Sequence, residues 1–342
     1  MLPIILTTFE GEKKKKKISN KDLDSCLEMG AKCIANSMDD LMRQLKDVSP
    51  APRQGANMGP TPINPQARFW GQSVFNANNL EYFVGDKIGS GNFGVIHDCR
   101  DVFGQDYVCK ILKTNRPEEE VQADWAKETQ FLFTLNHPNI VQLYDAFRYK
   151  NLYHMVMERC SGSLRDYVES YGALSGPDVV QVGGMILAGL HHIHQRNIIH
   201  RDLHVDNILY APPRTASQKI SIKISDFGIS KLLRPTENAA VTFIGRDYDY
   251  CPELVTKGHT TKRSDIYQCG LVLYHVYTGK HALSAKDGNN VVQIVTSGLA
   301  RQRAEQLNTK LGDVIGIMLR RAPEYRYKDC VETAAHLFAI LD

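Results

Sequence analysis

The chain has no apolar run approaching the ~18 residues that a membrane-spanning helix needs. It has no Cys-x-x-Cys pair and almost no charge excess: 41 Lys and Arg stand against 38 Asp and Glu, a formal net charge of +3. The first absence leaves no transmembrane candidate. The near balance of charge gives no overall nucleic-acid or membrane-surface signal. The eight cysteines are irregularly spaced and mostly in apolar surroundings. Buried thiols in a reducing, intracellular compartment are therefore expected, the cytoplasm first. Residue 2 is Leu, which excludes N-myristoylation. The apolar "MLPIIL" precedes the lysines rather than following them, the reverse of a secretory signal. No internal repeat is present.

What remains sorts into three stretches. With 342 residues and 43% hydrophobic content, the chain can hold one large or two ordinary domains and a sizeable core. Residues 1–48 include five consecutive lysines, Lys13 to Lys17. They read as a solvated charge run, with a nuclear address or an anionic-lipid patch as alternatives. Behind them Leu23, Leu27, Ile34, Met38, Leu41 and Leu45 recur at roughly helical spacing, and Ser19 with Asp22 reads as a cap. A helix within 19–48 is expected, its stripe open to the main domain, a protein partner or a second copy. Residues 49–78, with five prolines from Pro50 to Pro65, read as an extended linker. From 79 the texture changes. Strand-like runs at 81–89, 95–101 and 106–112 lead to a helical segment, 119–135, and to strand-like runs at 140–147 and 152–158. The rest is mostly helical, at 177–196, 263–278, 309–321 and 331–341. A small β-rich half followed by a larger helical half is an α+β layout.

Four motifs in this third stretch carry chemistry. "IGSGNFGVI" holds Gly89, Gly91 and Gly94. Glycines let a backbone approach phosphates closely, although a Gly-rich hairpin alone is a weak signal. No Gly-Lys-Ser/Thr follows it, and a strand rather than a helix comes next, so neither a Walker loop nor a dinucleotide fingerprint fits. "YVCKIL" sets Lys110 in an apolar strand, where a buried ammonium needs a partner; Glu128, among Trp125, Phe131 and Leu132, is the candidate. "HRDLHVDN" puts His200, Arg201, Asp202, His204 and Asn207 at fixed offsets in a loop. "ISDFGIS" ends a β-branched run on Asp226. A carboxylate with an amide oxygen, Asp226 with Asn207, is the hard-oxygen set that Mg²⁺ prefers when phosphates complete its shell.

Taken in order, these motifs resemble those of the eukaryotic protein kinase catalytic domain, over about residues 80–342. "CPE" at 251–253 stands where that family usually has Ala-Pro-Glu. "SDIYQCGLVLYHVYTG" is similar to the Asp-bearing helix of its large lobe, and Arg326 stands where an Arg pairs with the Glu of the triplet, here Glu253. The resemblance implies a two-lobed kinase fold, with an N-lobe at 79–157, a hinge at 158–162 and a C-lobe at 163–342. It implies transfer of the γ-phosphoryl group of ATP to a protein hydroxyl, with Mg²⁺ or Mn²⁺ as the ion. Residue by residue, Ile88, Gly89, Ser90, Gly91 and Gly94 would cover the nucleotide. Lys110, held by Glu128, would contact the α- and β-phosphates, Asp202 would be the catalytic base, and Asn207 and Asp226 would hold the metal. Ile96 and Val108 would lie above adenine and Leu209 below it, with Met157 at the back and Glu158 to Cys160 as hinge. Leu132, Leu143, His200 and Phe227 match a spine across both lobes, with Asp265 beneath. Arg201 implies a loop that needs a phosphate supplied by an upstream kinase, and Thr242, three before Gly245, matches the activating threonine. Asp206 points to basic residues ahead of the target.

Three departures stand out. His204 replaces the Lys that serine/threonine kinases set two after the catalytic Asp. A histidine with its usual pKa of ~6.5 is mostly neutral at cellular pH, which implies lower activity or an optimum in mild acid. Arg246 and Asp249 replace a Thr and a Tyr of the substrate-facing loop, and Val108 replaces an Ala over adenine. Serine/threonine specificity is the expectation. The alternatives are a weakly active or inactive scaffold and a tyrosine or dual-specificity kinase.

Overall fold

The structure, a computed structural model, describes residues 72–76, 80–90, 94–112, 117–211, 220–227, 247–288 and 290–341. The lysine run, the helix expected within 19–48, the segment 49–71, Gly91, Thr242 and Arg246 lie outside the described residues.

Six antiparallel strands form the first layer: β1 (Gln72–Phe75), β2 (Glu81–Ser90), β3 (Gly94–Asp101), β4 (Asp106–Leu112), β5 (Leu143–Tyr149) and β6 (Leu152–Glu158). Their order is β1-β2-β3-β4-β6-β5. One face follows the alternation of a half-buried sheet: Val74, Tyr82, Val84, Cys99, Cys109, Phe147 and Val156 close into one apolar cluster. β1 corrects the sequence reading, since it falls inside the stretch taken as linker up to 78. Four residues, Gln72 to Phe75, paired with Val84 to Glu81, are too short to stand out as a strand pattern. β5 also begins at Leu143, three residues later than the apolar run. Ile140 and Val141 are apolar because they dock on Ile224 of the other lobe, through a parallel bridge and a 2.9 Å Val141 N–H bond to the Ile224 carbonyl.

Helix α1 (Glu118–Thr134) crosses behind the sheet. Glu118, Glu119 and Glu120 fill its first turn, where carboxylates favour the exposed N–H groups and the helix dipole. It turns Val121, Glu128, Thr129 and Leu132 inward.

The second lobe is helical: α2 (Leu164–Tyr171), α3 (Gly176–Gln195), α4 (Pro252–Lys257), α5 (Lys262–Thr278), α6 (Val291–Thr296), α7 (Leu299–Glu305), α8 (Lys310–Met318) and α9 (Cys330–Phe338). A small sheet of β7 (Gly162–Ser163), β8 (Ile208–Ala211) and β9 (Ser221–Ile224) carries the loops that face the first lobe. Ser163 and Asp166 cap α2 reciprocally, and Ser175 caps α3. α5 is buried from Ser264 through Val276, so it runs through the middle of the lobe. On α3, a Cβ at Gly183 or Gly184 would stand 2.5 Å from Leu337 or 2.4 Å from Phe338, so these glycines let α9 pack closely. No described helix is long and apolar enough to cross a membrane. The six described cysteines are free, and all but the half-buried Cys160 are buried.

Burial sets an acid limit on this fold. It lowers the pKa of His154, His191, His192, His200 and His275, with His192 and His275 pushed down to about 4. The unfolded chain takes up these protons near pH ~6.5, before the folded one does. Stability is therefore complete above about pH 6.5 and falls as pH drops toward 4. Urea midpoints at pH 7.5, 6.0 and 5.0 should decrease in that order; a midpoint unchanged from 7.5 to 5.0 would contradict the burial argument.

Candidate active site

The two lobes meet at a buried charge cluster. Lys110, on β4, lies in register with Met155 of β6 and Ile96 of β3. Its Nζ donates to Glu128 Oε1 at 2.9 Å and stands 3.5 Å from Asp226 Oδ1. Burial alone would discharge this lysine, but the carboxylates of Glu128 and Asp226 outweigh it and raise the Lys110 pKa. In return the Lys110 charge, the largest influence, holds the Asp226 carboxyl below its ordinary range. Lys110 and Asp226 thus each favour the charged form of the other. Gly94 belongs to the same construction. A Cβ there would stand 2.8 Å from the Ile111 carbonyl and 3.2 Å from Lys110 Cγ, so only glycine lets β3 lie this close to β4.

The loop from His200 to Asn207 is braced from below by α5. Asp265, fully buried, accepts the backbone N–H groups of His200 and Arg201, each at 2.9 Å, and meets His194 Nε2 at 2.7 Å. Gln268, one turn on, accepts the Leu203 N–H at 3.3 Å and donates to the carbonyls of Arg201 and Asp249. These bonds hold Arg201 at φ 69°, a left-handed conformation that a side chain rarely adopts unaided. Asp226 is similar, at φ 55°. Asn207 Nδ2 donates to the Asp202 carbonyl at 2.8 Å, and its own carbonyl accepts from Ser225 N–H and Oγ. One short network thus fixes the spacing of Asp202, Asn207 and Asp226. Phe227 is buried between Phe131 of α1 and His200.

On the Lys110 face of the sheet, Ile96, Val108 and Met157 lie beside these polar groups. Ile96, Val108, Met157, Cys160 and Leu209 are each only partly buried, and Ile88 is half exposed. On the far face of the same sheet Cys99, Cys109 and Val156 are sealed. Apolar side chains left open on one face only, beside convergent polar groups, suit a flat heteroaromatic ring. Val108 and Met157 are register partners across β4 and β6. The Glu158 carboxylate is held by buried Lys223 at 2.7 Å, and its N–H already donates to the Gln142 carbonyl. That N–H is therefore not available to a ring on the Lys110 face.

Asp226 Oδ1 is enclosed, with the Lys110 ammonium at 3.5 Å as its counter-charge, and Asn207 turns its amide nitrogen to Asp202. Among the described residues no three His, Cys, Asp or Glu side chains form a cation cage. A donor set of one carboxylate and one amide oxygen suits Mg²⁺, which completes its shell with phosphate and water.

Several sequence expectations take a different shape here. His204 is buried, not extended toward a nucleotide. Its Nε2 is 3.9 Å from Asp202 Oδ2, and its Nδ1 is 3.3 Å from the Asp206 backbone nitrogen and 3.5 Å from Asp206 Oδ2. Asp206, expected to favour basic residues of a target, is instead engaged by Arg165 through two bonds of 2.8 Å. Gln268, Lys223 and Arg165 were not anticipated. Each acts through contacts 41 to 67 residues away in sequence, which no local motif records.

A sheet lobe and a helical lobe, with a charge cluster at their junction, make up a two-lobed fold. The chain belongs to the protein kinase domain family, which matches residues 82–339. It is 30% identical over 246 residues to the serine/threonine-protein kinase Nek1 of Mus musculus, covering 70% of this chain and 20% of that one. It is 28% identical over 265 residues to the serine/threonine-protein kinase PrkC of Bacillus subtilis (strain 168), covering 75% and 40%. The chain thus spans well under half the length of these relatives. The crystal structure of Rad53 1-466 in complex with AMP-PNP shares the fold, with a TM-score of 0.60 at 24% identity over 75% of this chain and 64% of that one.

Proposed function

We propose that this chain is a Mg²⁺- and ATP-dependent serine/threonine protein kinase. The observation that carries the reading is the Lys110–Glu128–Asp226 cluster, facing Asp202 and Asn207 across one cleft. An inactive scaffold has no need to bury an ammonium against two carboxylates, an arrangement that gains little net stability. Serine/threonine specificity is supported by the names of the curated relatives.

Mg·ATP, when bound, supplies the phosphoryl group and neutralises its charge. Lys110, oriented by Glu128, holds phosphate oxygens, and Asn207 and Asp226 hold the ion. Asp202 orients the target hydroxyl and accepts its proton. The Asp206 N–H onto His204 Nδ1 sets the ring so that Nε2 is the side that faces Asp202. His204 then steadies the Asp202 carboxylate from beneath, the place of the usual lysine being taken by a positioning residue. Phosphate incorporation into a mixed protein substrate should require Mg²⁺ or Mn²⁺ and stop on chelation. Equal incorporation with and without the ion would overturn the reading.

Arg201 extends this to regulation. Its guanidinium is half-buried, its Nε has no hydrogen-bond partner among the described residues, and burial lowers its pKa. Such a group is stabilised by an anion brought to it. Phosphorylation of Thr242 by an upstream kinase is the proposed source. Thr242→Ala should lower the specific activity of the phosphorylated protein by roughly 10-fold or more, since a charge-assisted pair is lost. Unchanged specific activity in a direct assay removes Thr242 from the account.

A further inference from the structure

The rim of the cleft beyond Asp202 is already filled by the chain itself. Asp202, His204 and Asp206 form a line, with the imidazole between the two carboxylates. A peptide that presents a hydroxyl to Asp202 therefore carries its flanking residues past Asp206. Asp206 does not meet them as a bare carboxylate. Arg165, at the start of α2, donates Nε to Oδ1 and Nη2 to Oδ2, each at 2.8 Å. Its third nitrogen, Nη1, lies 3.1 Å from His281 Nε2. His281 in turn packs against His275 of α5, with ring centroids 4.4 Å apart. Burial keeps His275 neutral, at about 4, and pushes the nearby Asp249 carboxyl up. The Arg165 and Asp206 side chains remain 30% and 21% exposed, so the pair lies at the lip and not in the core.

From this geometry we infer that Arg165 is a specificity-determining residue: it occupies Asp206 as a built-in cation and so removes any demand for a basic residue beside the target hydroxyl. The inference rests on the kinase reading and refines its substrate class. Two features fit a substituted subsite. The pairing is a planar, two-point fork, the strongest geometry a guanidinium offers a carboxylate. The third nitrogen of the fork is also engaged, by His281, so the guanidinium is held at three points.

The test uses the full chain with Mg·ATP on peptide arrays that vary each position around a fixed serine or threonine. The unmutated protein should prefer Arg or Lys over Ala by less than about twofold at every position, as expected where no unpaired carboxylate is offered. Arg165→Ala should create a preference of about tenfold at one position, the gain from a charged hydrogen bond to Asp206. Arg165→Ala combined with Asp206→Asn should abolish it again, which a merely structural role for Arg165 would not do. Fluorescence anisotropy of a labelled peptide with Arg or Ala at that position, without nucleotide, should follow the same three-way pattern. A strong basic preference in the unmutated protein overturns the inference. So does an Arg165→Ala profile identical to the parent, or a preference that survives in the double variant. Absence of transfer to every peptide would instead fall on the kinase reading, and the anisotropy series would then decide the role of Arg165 alone.

Discussion

Asp202→Asn should lower kcat for phosphate transfer by about 10²- to 10⁴-fold, the range for loss of a positioned general base, and leave the fold intact. The substitution keeps the shape of the side chain. Its backbone carbonyl, which accepts from Asn207 Nδ2, is unchanged, so the metal-facing residues keep their spacing. What is lost is the charge that faces His204 Nε2 at 3.9 Å and that in the proposed mechanism would receive the hydroxyl proton. An unchanged urea midpoint together with the fall in kcat would separate chemistry from folding. A loss below about tenfold would remove Asp202 from the role of base.

Arg326→Ala should have the largest effect on stability. Arg326 and Glu253 are buried to 0% and 3% side-chain exposure and joined by two bonds of 2.8 Å. The guanidinium also donates to the carbonyls of Arg320, Arg263 and Arg321 and lies over the Tyr267 ring. Ser264 Oγ donates to the same carboxylate at 2.6 Å. Truncating one partner leaves Glu253 charged and uncompensated, which costs about 3–5 kcal/mol. For a domain of this size that is a fall in Tm of roughly 6–20 °C. Replacing both residues by apolar ones, Arg326→Met with Glu253→Leu, should cost less than the single change, because the penalty comes from the stranded charge. A single-variant loss under about 1 kcal/mol would show that water reaches the pair after all.

The sequence displayed some levels of this molecule better than others. The strands at 81–89, 95–101, 106–112 and 152–158 and the four longest helices of the second lobe were legible, since each is long enough to show its period, whereas the short α2, α4, α6 and α7 were not. β1 was not, because four edge residues cannot establish one. The motif residues Lys110, Asp202, Asn207 and Asp226 stood out because their types recur at fixed local offsets, and the fold links them through short contacts at the lobe junction. Their support was hidden. Asp265 and Gln268 reach the catalytic loop across about 65 residues, and Lys223 reaches Glu158 over the same span. His204 shows the limit most clearly. Its position in "HRDLHVDN" identified a departure, but only the fold reveals that the ring is buried between Asp202 and Asp206. Asp206 alone read as a site for basic residues of a target, and only the fold reveals its pairing with Arg165 on another element.

The most direct test of the central claim is the phosphoamino-acid content of substrate labelled by the unmutated chain with Mg·ATP, beside Asp202→Asn. The account predicts phosphoserine and phosphothreonine from the first protein and a near-complete loss from the second. Label confined to phosphotyrosine would contradict the proposed specificity. Equal labelling by both proteins would contradict the proposed catalytic site.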